Sequence, residues 1–225
     1  IKRAQEFLHA GESYEVCLTD TYTAAAEGEL YPQLRSHNPA PYAAHLVFDG
    51  VEVCSASPER FLTVRGREVE AKPIKGTISA AQDPALLITD PKTRAENLMI
   101  VDLLRNDLSR VCEPGTVRVP KLMQVESYAT VHQLVSTITG QLRASATAVD
   151  ALRATFPPGS MTGAPKLRTC EIIDQLETGP RGVYSGVVGY LGFDGQSDLS
   201  VVIRTAVRAA GEVTIGAGGA IVLDS

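Results

Sequence analysis

The chain has 225 residues, of which 44% are hydrophobic and 21% are charged, and its formal net charge is −5. This balance is typical of a folded globular protein and argues against a disordered one. The acidic total offers no attraction for nucleic acid, and apolar runs such as VYSGVVGYLGF are too short or too interrupted to cross a bilayer. We therefore expect small molecules or other proteins as partners, with no nucleic acid and no membrane among them.

The cysteines and the length bear on compartment and domain organisation. No two cysteines form a CxxC pair, so Cys17, Cys54, Cys112 and Cys170 are predicted to be reduced, packed thiols of a cytosolic, or cytoplasmic, protein. The length suits one hydrophobic core, which predicts a single domain over 1–225. Because the chain does not begin with Met and stops at IVLDS, directly after a strand-like run, we expect it to be part of a longer polypeptide.

Helix and strand signals alternate in the first half of the chain. A helix is predicted in the first ten residues, ending at Gly11, and a strand in YEVCLTDTYTA. Two hairpins follow, in YAAHLVFDGVEVCSAS with an Asp-Gly turn and in ERFLTVRGREVEAKPIKGT with an Arg-Gly turn. Asp90 and Pro91 then predict the beginning of a long helix through RAENLMIVDLLRNDLSR.

The second half ends in strands. SYATVHQLVSTITG predicts a strand, AVDALRATF a short helix, and PPGSMTGAPKLRTCEIIDQLE a loop that enters a helix. Strands are then predicted in GVYSGVVGYLGF, SDLSVVIRTAVRA and EVTIGAGGAIVL. Strands joined by hairpins at short spacing imply an α+β fold, with a largely antiparallel sheet flanked by helices.

Three charged residues stand where core residues are expected. Lys75, in AKPIKGTIS, either extends its ammonium to water or is held in a pocket as a reagent. Arg204, in SVVIRTAV, is predicted on a strand and out of open water, where its guanidinium needs an anionic partner: an Asp or Glu of the chain, or a bound carboxylate. Glu96 shares a helical face with Met99 and Ile100, and it either pairs with an arginine or holds a hard cation such as magnesium.

Glu59, His132 and two glycine-rich loops give weaker signals of a site that binds an anionic substrate. Glu59 follows Pro58 and precedes a strand, so it is either a solvated glutamate or a proton donor. His132 is predicted in mid-strand, where a histidine is usually a satisfied core residue. Two glycine-rich loops, PPGSMTGAPK and GAGGA, can direct backbone N–H groups at an anion. Together these features suit a small dianionic substrate.

Seven motifs, in order along the chain, resemble those of the chorismate-utilising enzymes: SPERF, PIKGT, ENLMIVDLLRNDLSR, PPGSMTGAPKLR, SGVVGYLGF, VVIRTA and GAGGAIVLDS. The resemblance implies a chorismate-binding catalytic domain with a large antiparallel sheet core and outer helices, similar to component I of the anthranilate synthases. It also implies that an N-terminal region and a C-terminal helix with a second metal carboxylate lie outside this chain.

Lys75 distinguishes among the branches of the family, because members that form anthranilate carry alanine in its place. The resemblance therefore implies amination of chorismate at C4 to 4-amino-4-deoxychorismate, for p-aminobenzoate and folate biosynthesis. In that branch the lysine attacks C2 and the C4 hydroxyl leaves, after which ammonia adds at C4 and releases the lysine. Only a neutral amine can attack, so we expect burial or the neighbouring Lys72 to lower the pKa of Lys75 from about 10.4.

The resemblance implies roles for other residues as well. Glu59 resembles the general acid for the leaving hydroxyl, and Glu96 resembles a ligand of Mg²⁺ that holds the ring carboxylate. Substrate binding is implied for Thr77, His132, Ser160, Tyr184, Arg204, Gly218 and Gly219. Glu15 stands where water-using relatives carry an activating lysine, which counts against isochorismate or salicylate synthesis.

The resemblance also implies a source of ammonia and leaves two alternatives. The family usually takes its ammonia from a glutamine amidotransferase, either a separate subunit or a fused domain. One alternative is an anthranilate-forming component I, which would release pyruvate. The other is a non-catalytic relative that only binds chorismate or an amidotransferase partner.

Overall fold

The computed structural model describes residues 1–25, 27–223 and 225, so Asp224 of the motif GAGGAIVLDS lies outside the described residues. Its helices are α1 (Lys2–His9), α2 (Leu30–His37), α3 (Ala85–Thr89), α4 (Pro91–Ser109), α5 (Ala148–Thr155) and α6 (Lys166–Leu176). Its strands are β1 (Glu15–Ala24), β2 (Tyr42–Phe48), β3 (Val51–Ser57), β4 (Arg60–Arg65), β5 (Glu68–Lys72), β6 (Ile74–Ser79), β7 (Arg118–Ser127), β8 (Val131–Gln141), β9 (Gly163–Ala164), β10 (Val187–Leu191), β11 (Ser197–Val201), β12 (Thr205–Ala209) and β13 (Glu212–Ile221). A 3₁₀ turn at Gly159–Met161 precedes β9.

The strands form two antiparallel sheets. One has six strands in the order β2-β3-β12-β13-β1-β9, and the other has seven, in the order β10-β11-β4-β5-β8-β6 with β7 also paired to β8. The predicted α+β class with antiparallel strands and outer helices is confirmed, with the strands divided between two sheets rather than gathered in one.

The main hydrophobic core lies between the seven-stranded sheet and α4. Buried side chains of β4, β5 and β8 meet Ile100, Leu104 and Leu108 of α4. The helix begins as predicted, because the Asp90 side chain accepts a hydrogen bond from the backbone N–H of Thr93. Packing of this face holds α4 in a fixed register against the sheet. Because Glu96 belongs to α4, its position is fixed by the same packing.

The predicted helix at the N-terminus, the first hairpin, β8, α5 and α6 are confirmed. The second hairpin is confirmed as β4 and β5, but its return strand ends at Lys72, and Ile74–Ser79 form the separate strand β6. Among the described residues, four helices or strands were not predicted: α2, α3, β7 and the two-residue strand β9. The helix α2 has no buried residue, and most residues of β7 are exposed or half-buried. Neither segment therefore carries the apolar periodicity by which a sequence shows an element.

The prediction of one strand over SDLSVVIRTAVRA is wrong. Residues 197–201 form β11 of the seven-stranded sheet, and residues 205–209 form β12 of the six-stranded sheet. The chain crosses between the sheets at 202–204, where Arg204 has a φ of 49°. Apolar residues continue through the crossing because each strand is buried in its own sheet, so hydrophobicity alone shows no break.

Two expectations from composition can be compared with the structure. All four cysteines are free thiols, with Cys17, Cys54 and Cys112 buried and Cys170 half-buried, as predicted. Within the described ranges, none of the helices has the length and apolar character needed to cross a membrane.

Candidate active site

A buried ion pair joins the two sheets. Lys75 lies on β6, its side chain is 10% exposed, and its Nζ is 2.7 Å from Oε1 of Glu15. Glu15 is the first residue of β1 and its side chain is fully buried. Its second oxygen, Oε2, is also buried and has no hydrogen-bond partner among the described residues. The lysine is therefore held inside the fold and does not extend to water.

Close backbone approaches position both members of the pair. Gly163 of β9 pairs with β1 beside Glu15, and a Cβ at Gly163 would lie 1.9 Å from the Glu15 carbonyl oxygen. Next to Lys75, Gly76 has a φ of +94°, and a Cβ there would lie 2.3 Å from Cγ2 of Thr93 on α4. The absence of side chains at these two glycines lets β9 and α4 pack directly against the residues that carry the ion pair.

The expectation of a lowered pKa for Lys75 is wrong for this structure. Burial disfavours the ammonium, but the adjacent Glu15 carboxylate outweighs burial and the pKa of Lys75 is raised. Burial is also the largest influence on Glu15, and it raises the pKa of that carboxyl despite the lysine. Lys72 does not supply the expected repulsion, because its Nζ binds Glu126 at 2.6 Å. In the resting protein, Lys75 is therefore an ammonium ion beside the Glu15 carboxylate.

Glu59 forms a second buried carboxyl group in the same region. It is 6% exposed and its Oε1 accepts a hydrogen bond of 2.8 Å from Oγ of Ser160, in the 3₁₀ turn. Burial raises the pKa of Glu59 to about 7, although the Ser160 hydrogen bond and the charge of Lys75 lower it. The solvated alternative for Glu59 is therefore wrong, and the group can hold or release a proton near neutrality.

Glu96, on α4, lies near the Lys75–Glu15 pair. It is half-buried and makes no hydrogen bond or ion pair with any residue in the described part of the chain. Its charge acts on both Lys75 and Glu15. The next residue, Asn97, accepts a hydrogen bond from Ser136 of β8 at 2.6 Å, which fixes α4 at this point. A free carboxylate of this kind fits Mg²⁺, which takes oxygen ligands and commonly binds through one or two carboxylates plus substrate.

The described residues contain one other group of potential metal ligands, and it lies elsewhere. His45, Glu52 and Cys54 are on β2 and β3 of the six-stranded sheet, with ligand atoms within 4.8 Å of one another. Arg208 binds the other oxygen of Glu52 at 2.9 Å, so a guanidinium already balances that carboxylate. Imidazole, thiolate and a neighbouring cation do not suit Mg²⁺.

Arg204 is placed differently from its prediction. It is exposed, it lies at the crossing between the sheets, and its Nη1 donates to Oδ1 of Asn38 at 3.3 Å. It lines a cavity of about 310 Å³ together with Tyr128 and Gln133. The prediction of a buried arginine on a strand is therefore wrong, because the chain leaves the sheet at this residue.

Thr77 and His132 border the same region. Thr77 of β6 is exposed, and its Oγ1 accepts a hydrogen bond from Nε2 of Gln133 at 3.5 Å. His132 is the second residue of β8, half-buried, with Nδ1 2.8 Å from Oγ of Ser127. His132 is thus near the end of its strand and not in the core, and Gln133 connects Thr77 to the cavity that Arg204 lines.

GAGGA lies within β13, which confirms the strand predicted over EVTIGAGGAIVL and shows that the description of these five residues as a loop is wrong. Gly218 pairs with Thr19 of β1 and Gly219 with Leu18, and both glycines are exposed. On its other side β13 pairs with β12 only as far as Ile215, so the backbone of 216–221 has one paired edge among the described residues. The free edge can still present amide groups, now from an extended backbone.

Tyr184 packs against this strand. A Cβ at Gly216 would lie 2.2 Å from Cγ of Tyr184, so the glycine makes room for the ring. Burial raises the pKa of the Tyr184 hydroxyl to about 12. In the described parts of the chain, no hydrogen bond or ion pair joins Tyr184 or Arg204 to Lys75 or Glu59. The structure thus links Glu59 to Ser160 by a hydrogen bond, and the charges of Lys75, Glu59 and Glu96 lie close enough for Lys75 to interact with both carboxyl groups.

Two features were not predicted from the sequence: the contact partner of Lys75 and the half-buried Arg181. Arg181 bonds to Glu177 at 2.7 Å and to the backbone oxygen of Cys17, and it lines a cavity of about 690 Å³. Glu15 begins a strand whose next two residues, Val16 and Cys17, are buried. A carboxylate at the buried end of a strand is a signal of the same kind that singled out Lys75.

Comparisons with known proteins agree on one family. Residues 1–225 match the family model described as chorismate binding enzyme. The chain is 52% identical to a probable aminodeoxychorismate synthase, chloroplastic, of Oryza sativa subsp. japonica, covering 99% of this chain and 26% of that protein. It is 48% identical to aminodeoxychorismate synthase component 1 of Klebsiella aerogenes, covering 100% of this chain and 52% of that protein.

A solved structure shows the same fold. The crystal structure of anthranilate synthase component I from Streptococcus pneumoniae TIGR4 superposes with a TM-score of 0.92 at 38% identity. The match covers all of this chain and 52% of that one. The chain thus spans about half, or less, of the length of these relatives.

Proposed function

The chain belongs to the family of chorismate binding enzymes, and on that basis we propose that it is the catalytic part of an aminodeoxychorismate synthase. It would replace the C4 hydroxyl of chorismate with an amino group, giving 4-amino-4-deoxychorismate. The observation that carries this proposal is the enclosed amine of Lys75, close to the charges of Glu59 and Glu96. The names of the rice and Klebsiella relatives support the same reaction.

Lys75 and Glu59 would carry the bond changes. The Nζ lone pair of Lys75 forms a bond to ring carbon C2, the two conjugated ring double bonds shift toward C4, and the C4–O bond breaks. Glu59 gives its proton to the leaving oxygen, so that water departs. A carboxyl group with a pKa of about 7 is suited to this role, because near neutrality much of it is still protonated. Ammonia then forms the C4–N bond and the electrons return, releasing the lysine as an amine.

Glu96 would hold Mg²⁺. When bound, the ion supplies positive charge that draws electrons from the ring through its carboxylate. The free carboxylate of Glu96 is the contribution of this chain to that site. The helix α4, which contains Glu96, also packs on Gly76 beside Lys75. One contact therefore helps to position both the proposed metal ligand and the nucleophile.

The remaining predicted residues would bind the substrate. We propose that the exposed guanidinium of Arg204 takes the enolpyruvyl carboxylate, with amides at Gly218 and Gly219 on the free edge of β13. Ser160 orients the Glu59 carboxyl through its hydrogen bond. Substrate contacts are further proposed for Thr77, His132 and Tyr184.

The ammonia would come from a glutamine amidotransferase, as a separate subunit or a fused domain. The word "component" in the name of the Klebsiella relative is consistent with a partner subunit there. The cytosolic location stays a prediction from the cysteines. The rice relative is named as chloroplastic, so location varies with the protein that carries this part.

The test is to incubate the full-length protein with chorismate, Mg²⁺ and ammonium and to identify the product. We expect aminodeoxychorismate, which retains its enolpyruvyl group, and we expect Lys75→Ala to abolish its formation. Full amination by Lys75→Ala would contradict the covalent role of the lysine.

An anthranilate synthase is the second candidate, because the Streptococcus structure matches at a TM-score of 0.92. Release of pyruvate together with anthranilate in the same incubation would identify that activity. Binding of chorismate without any product would instead indicate a non-catalytic relative.

A further inference from the structure

We propose that Glu15 takes the proton from Nζ of Lys75 when the amine reacts, so that the pair itself stores this proton during turnover. The inference rests on the proposed function, in which Lys75 is the nucleophile. It adds a third catalytic residue, after Lys75 and Glu59, and one that touches the reacting nitrogen.

The contact provides a direct path for the proton. Nζ of Lys75 donates to Oε1 of Glu15 at 2.7 Å, within the range of a charge-assisted hydrogen bond. No rearrangement is needed before transfer. The second oxygen of Glu15 is buried without a partner in the described ranges, so the carboxylate lacks the hydrogen bonds that normally stabilise its charge.

Burial brings the two proton positions closer in free energy. An ammonium–carboxylate pair and an amine–carboxylic acid pair hold the same proton and have the same net charge. Burial penalises the charged forms, because it raises the pKa of Glu15 and opposes the charge of Lys75. The attraction within the pair keeps the resting proton on Lys75, and transfer neutralises both groups without moving a proton to bulk water.

The other titratable groups around the pair are less suited than Glu15 to accept the proton of Lys75. Glu96 and Lys92, both on α4, act on the pair at longer range. Cys17, two residues along β1, has a pKa raised by burial to about 11 and is a neutral thiol near neutrality. Glu59 feels the charge of Lys75, but its hydrogen bond goes to Ser160 and its proton is assigned to the leaving hydroxyl.

The proton balance closes over one turnover. Before attack, the Nζ–H bond breaks and Oε1 of Glu15 gains the proton, which leaves the Nζ lone pair free to form the C2–N bond. Glu59 protonates the departing oxygen. When ammonia has added and the C2–N bond has broken, Lys75 is released as a neutral amine and takes its proton back from Glu15. The ammonium first formed at C4 gives one proton to Glu59, so both carboxyl groups return to their starting states.

Lys72 and Glu126 provide a matched control pair. Their contact is 2.6 Å, similar to that of Lys75 and Glu15, but their side chains are 25% and 30% exposed. Glu15→Gln and Glu126→Gln therefore remove the same charge from the same kind of contact. Only the first removal takes away an acceptor from the reacting amine.

The experiment measures kcat for the full-length protein and both variants from about pH 6 to about pH 9, at saturating substrates and constant Mg²⁺. In Glu15→Gln the proton of Lys75 must pass to bulk water, so activity depends on the pKa of the lysine itself. We expect the ratio of variant to wild-type kcat to rise at least about tenfold across this range. The ratio for Glu126→Gln should stay flat.

A second readout follows the amine without turnover. Acetic anhydride labels neutral amines, and mass spectrometry of the peptide that contains Lys75 reports its protonation state. We expect slow labelling of wild-type Lys75 at neutral pH, where the enzyme is nevertheless active. In Glu15→Gln we expect labelling and kcat to rise together with pH, because one free amine then governs both.

Two results would overturn the inference: a flat kcat ratio for Glu15→Gln, or wild-type Lys75 labelling as readily as an exposed lysine. If Glu15→Gln does not fold, Glu15→Asp replaces it, and this variant should retain the pH dependence of the wild type at a lower kcat. A rising ratio in Glu15→Asp would contradict the role of the carboxylate. Failure of the proposed function is a separate outcome, because it would appear as anthranilate with pyruvate, as no product at all, or as full amination by Lys75→Ala.

Discussion

Two lysine–glutamate pairs, with their lysines three residues apart in the chain, have the same contact and different surroundings. Lys72 and Glu126 join β5 to β7 at 2.6 Å with a quarter or more of each side chain exposed. Lys75 and Glu15 join the two sheets at 2.7 Å with almost no exposure. Water screens the first pair and leaves it worth little, whereas burial makes the second both costly to form and costly to break.

The difference originates in backbone position. Lys72 ends β5, Pro73 interrupts the ladder, and Lys75 continues on β6, which packs against α4. Glu15 is buried because β9 covers the beginning of β1. Chemical type and distance therefore do not determine what a pair does; the elements packed around it do.

The largest expected effect comes from breaking the backbone approach that encloses Glu15. In Gly163→Ala the new Cβ would meet the Glu15 carbonyl oxygen at 1.9 Å, and the backbone φ of +133° disfavours any side chain. We expect a loss of more than about 5 kcal/mol in the free energy of unfolding, or failure to fold. Urea denaturation measures this loss.

The control for this change is Gly66→Ala, in the hairpin that ends at Lys72. Gly66 has a φ of +61°, but a Cβ there would meet nothing within 4 Å. Only backbone strain remains, so we expect a loss of about 1–2 kcal/mol. Equal losses in the two variants would show that the approach of β9 to Glu15 is not tight in solution.

Removing each lysine tests the pairs themselves. Lys75→Met leaves a buried carboxylate at Glu15 without its partner, so we expect a loss of about 3–5 kcal/mol near pH 8. The pKa of Glu15 would rise further in this variant, and the native state would then bind a proton that the unfolded state has released. Stability should therefore recover as pH falls toward the unfolded value of 4.5.

Lys72→Met is the matched change at the exposed pair, and it should cost no more than about 1 kcal/mol. Urea denaturation at several pH values measures both variants. A small, pH-independent loss for Lys75→Met would mean that Glu15 is not charged beside the lysine.

The sequence predicted the enclosure of Lys75 but not its partner. Small and apolar neighbours are visible in AKPIKGTIS, whereas Glu15 is 60 residues away and meets Lys75 only when the two sheets pack. The hairpins were predictable because their turns are encoded by adjacent residues. A contact between sheets has no such local signal.

In the C-terminal strands, glycine content suggested a loop at GAGGA, and a continuous apolar run suggested a single strand through Arg204. GAGGA has the composition of a loop, yet β1 pairs with it along its length because glycines permit the close contact with Tyr184 and Leu18. The run through Arg204 has the composition of one strand, yet it changes sheet there. The fold class was predicted correctly, because it depends on the average pattern of helices and strands along the chain. The position of Arg204 was not, because it depends on the positive φ of that one residue.

Glu59 differs from both pairs, because it is a buried carboxyl group without an ion-pair partner among the described residues. Its pKa of about 7 lies above the unfolded value of 4.5, so the native state binds the proton more tightly. Stability should therefore decrease as pH rises from about 4.5 to about 7 and then level off, by up to about 3 kcal/mol.

Glu59→Gln does not titrate and should remove this decrease, which unfolding measured at pH values across the window would detect. The same proton is needed for the leaving hydroxyl, so wild-type kcat should fall above about pH 7. A decrease in stability that persists in Glu59→Gln would have to come from another group.

The smallest expected effect is that of salt on the two pairs. At 1 M salt the Debye length falls to about 3 Å, so ions weaken the interaction of the partly exposed Lys72 and Glu126 far more than that of the enclosed Lys75 and Glu15. Glu126→Gln should therefore cost at most about 1 kcal/mol at low salt and less at high salt. The cost of Glu15→Gln should be the same at both. If high salt reduced the costs of Glu126→Gln and Glu15→Gln by the same amount, water would have access to the pair between the sheets. The low exposure of Lys75 could then no longer explain why its proton is held by Glu15 during the reaction.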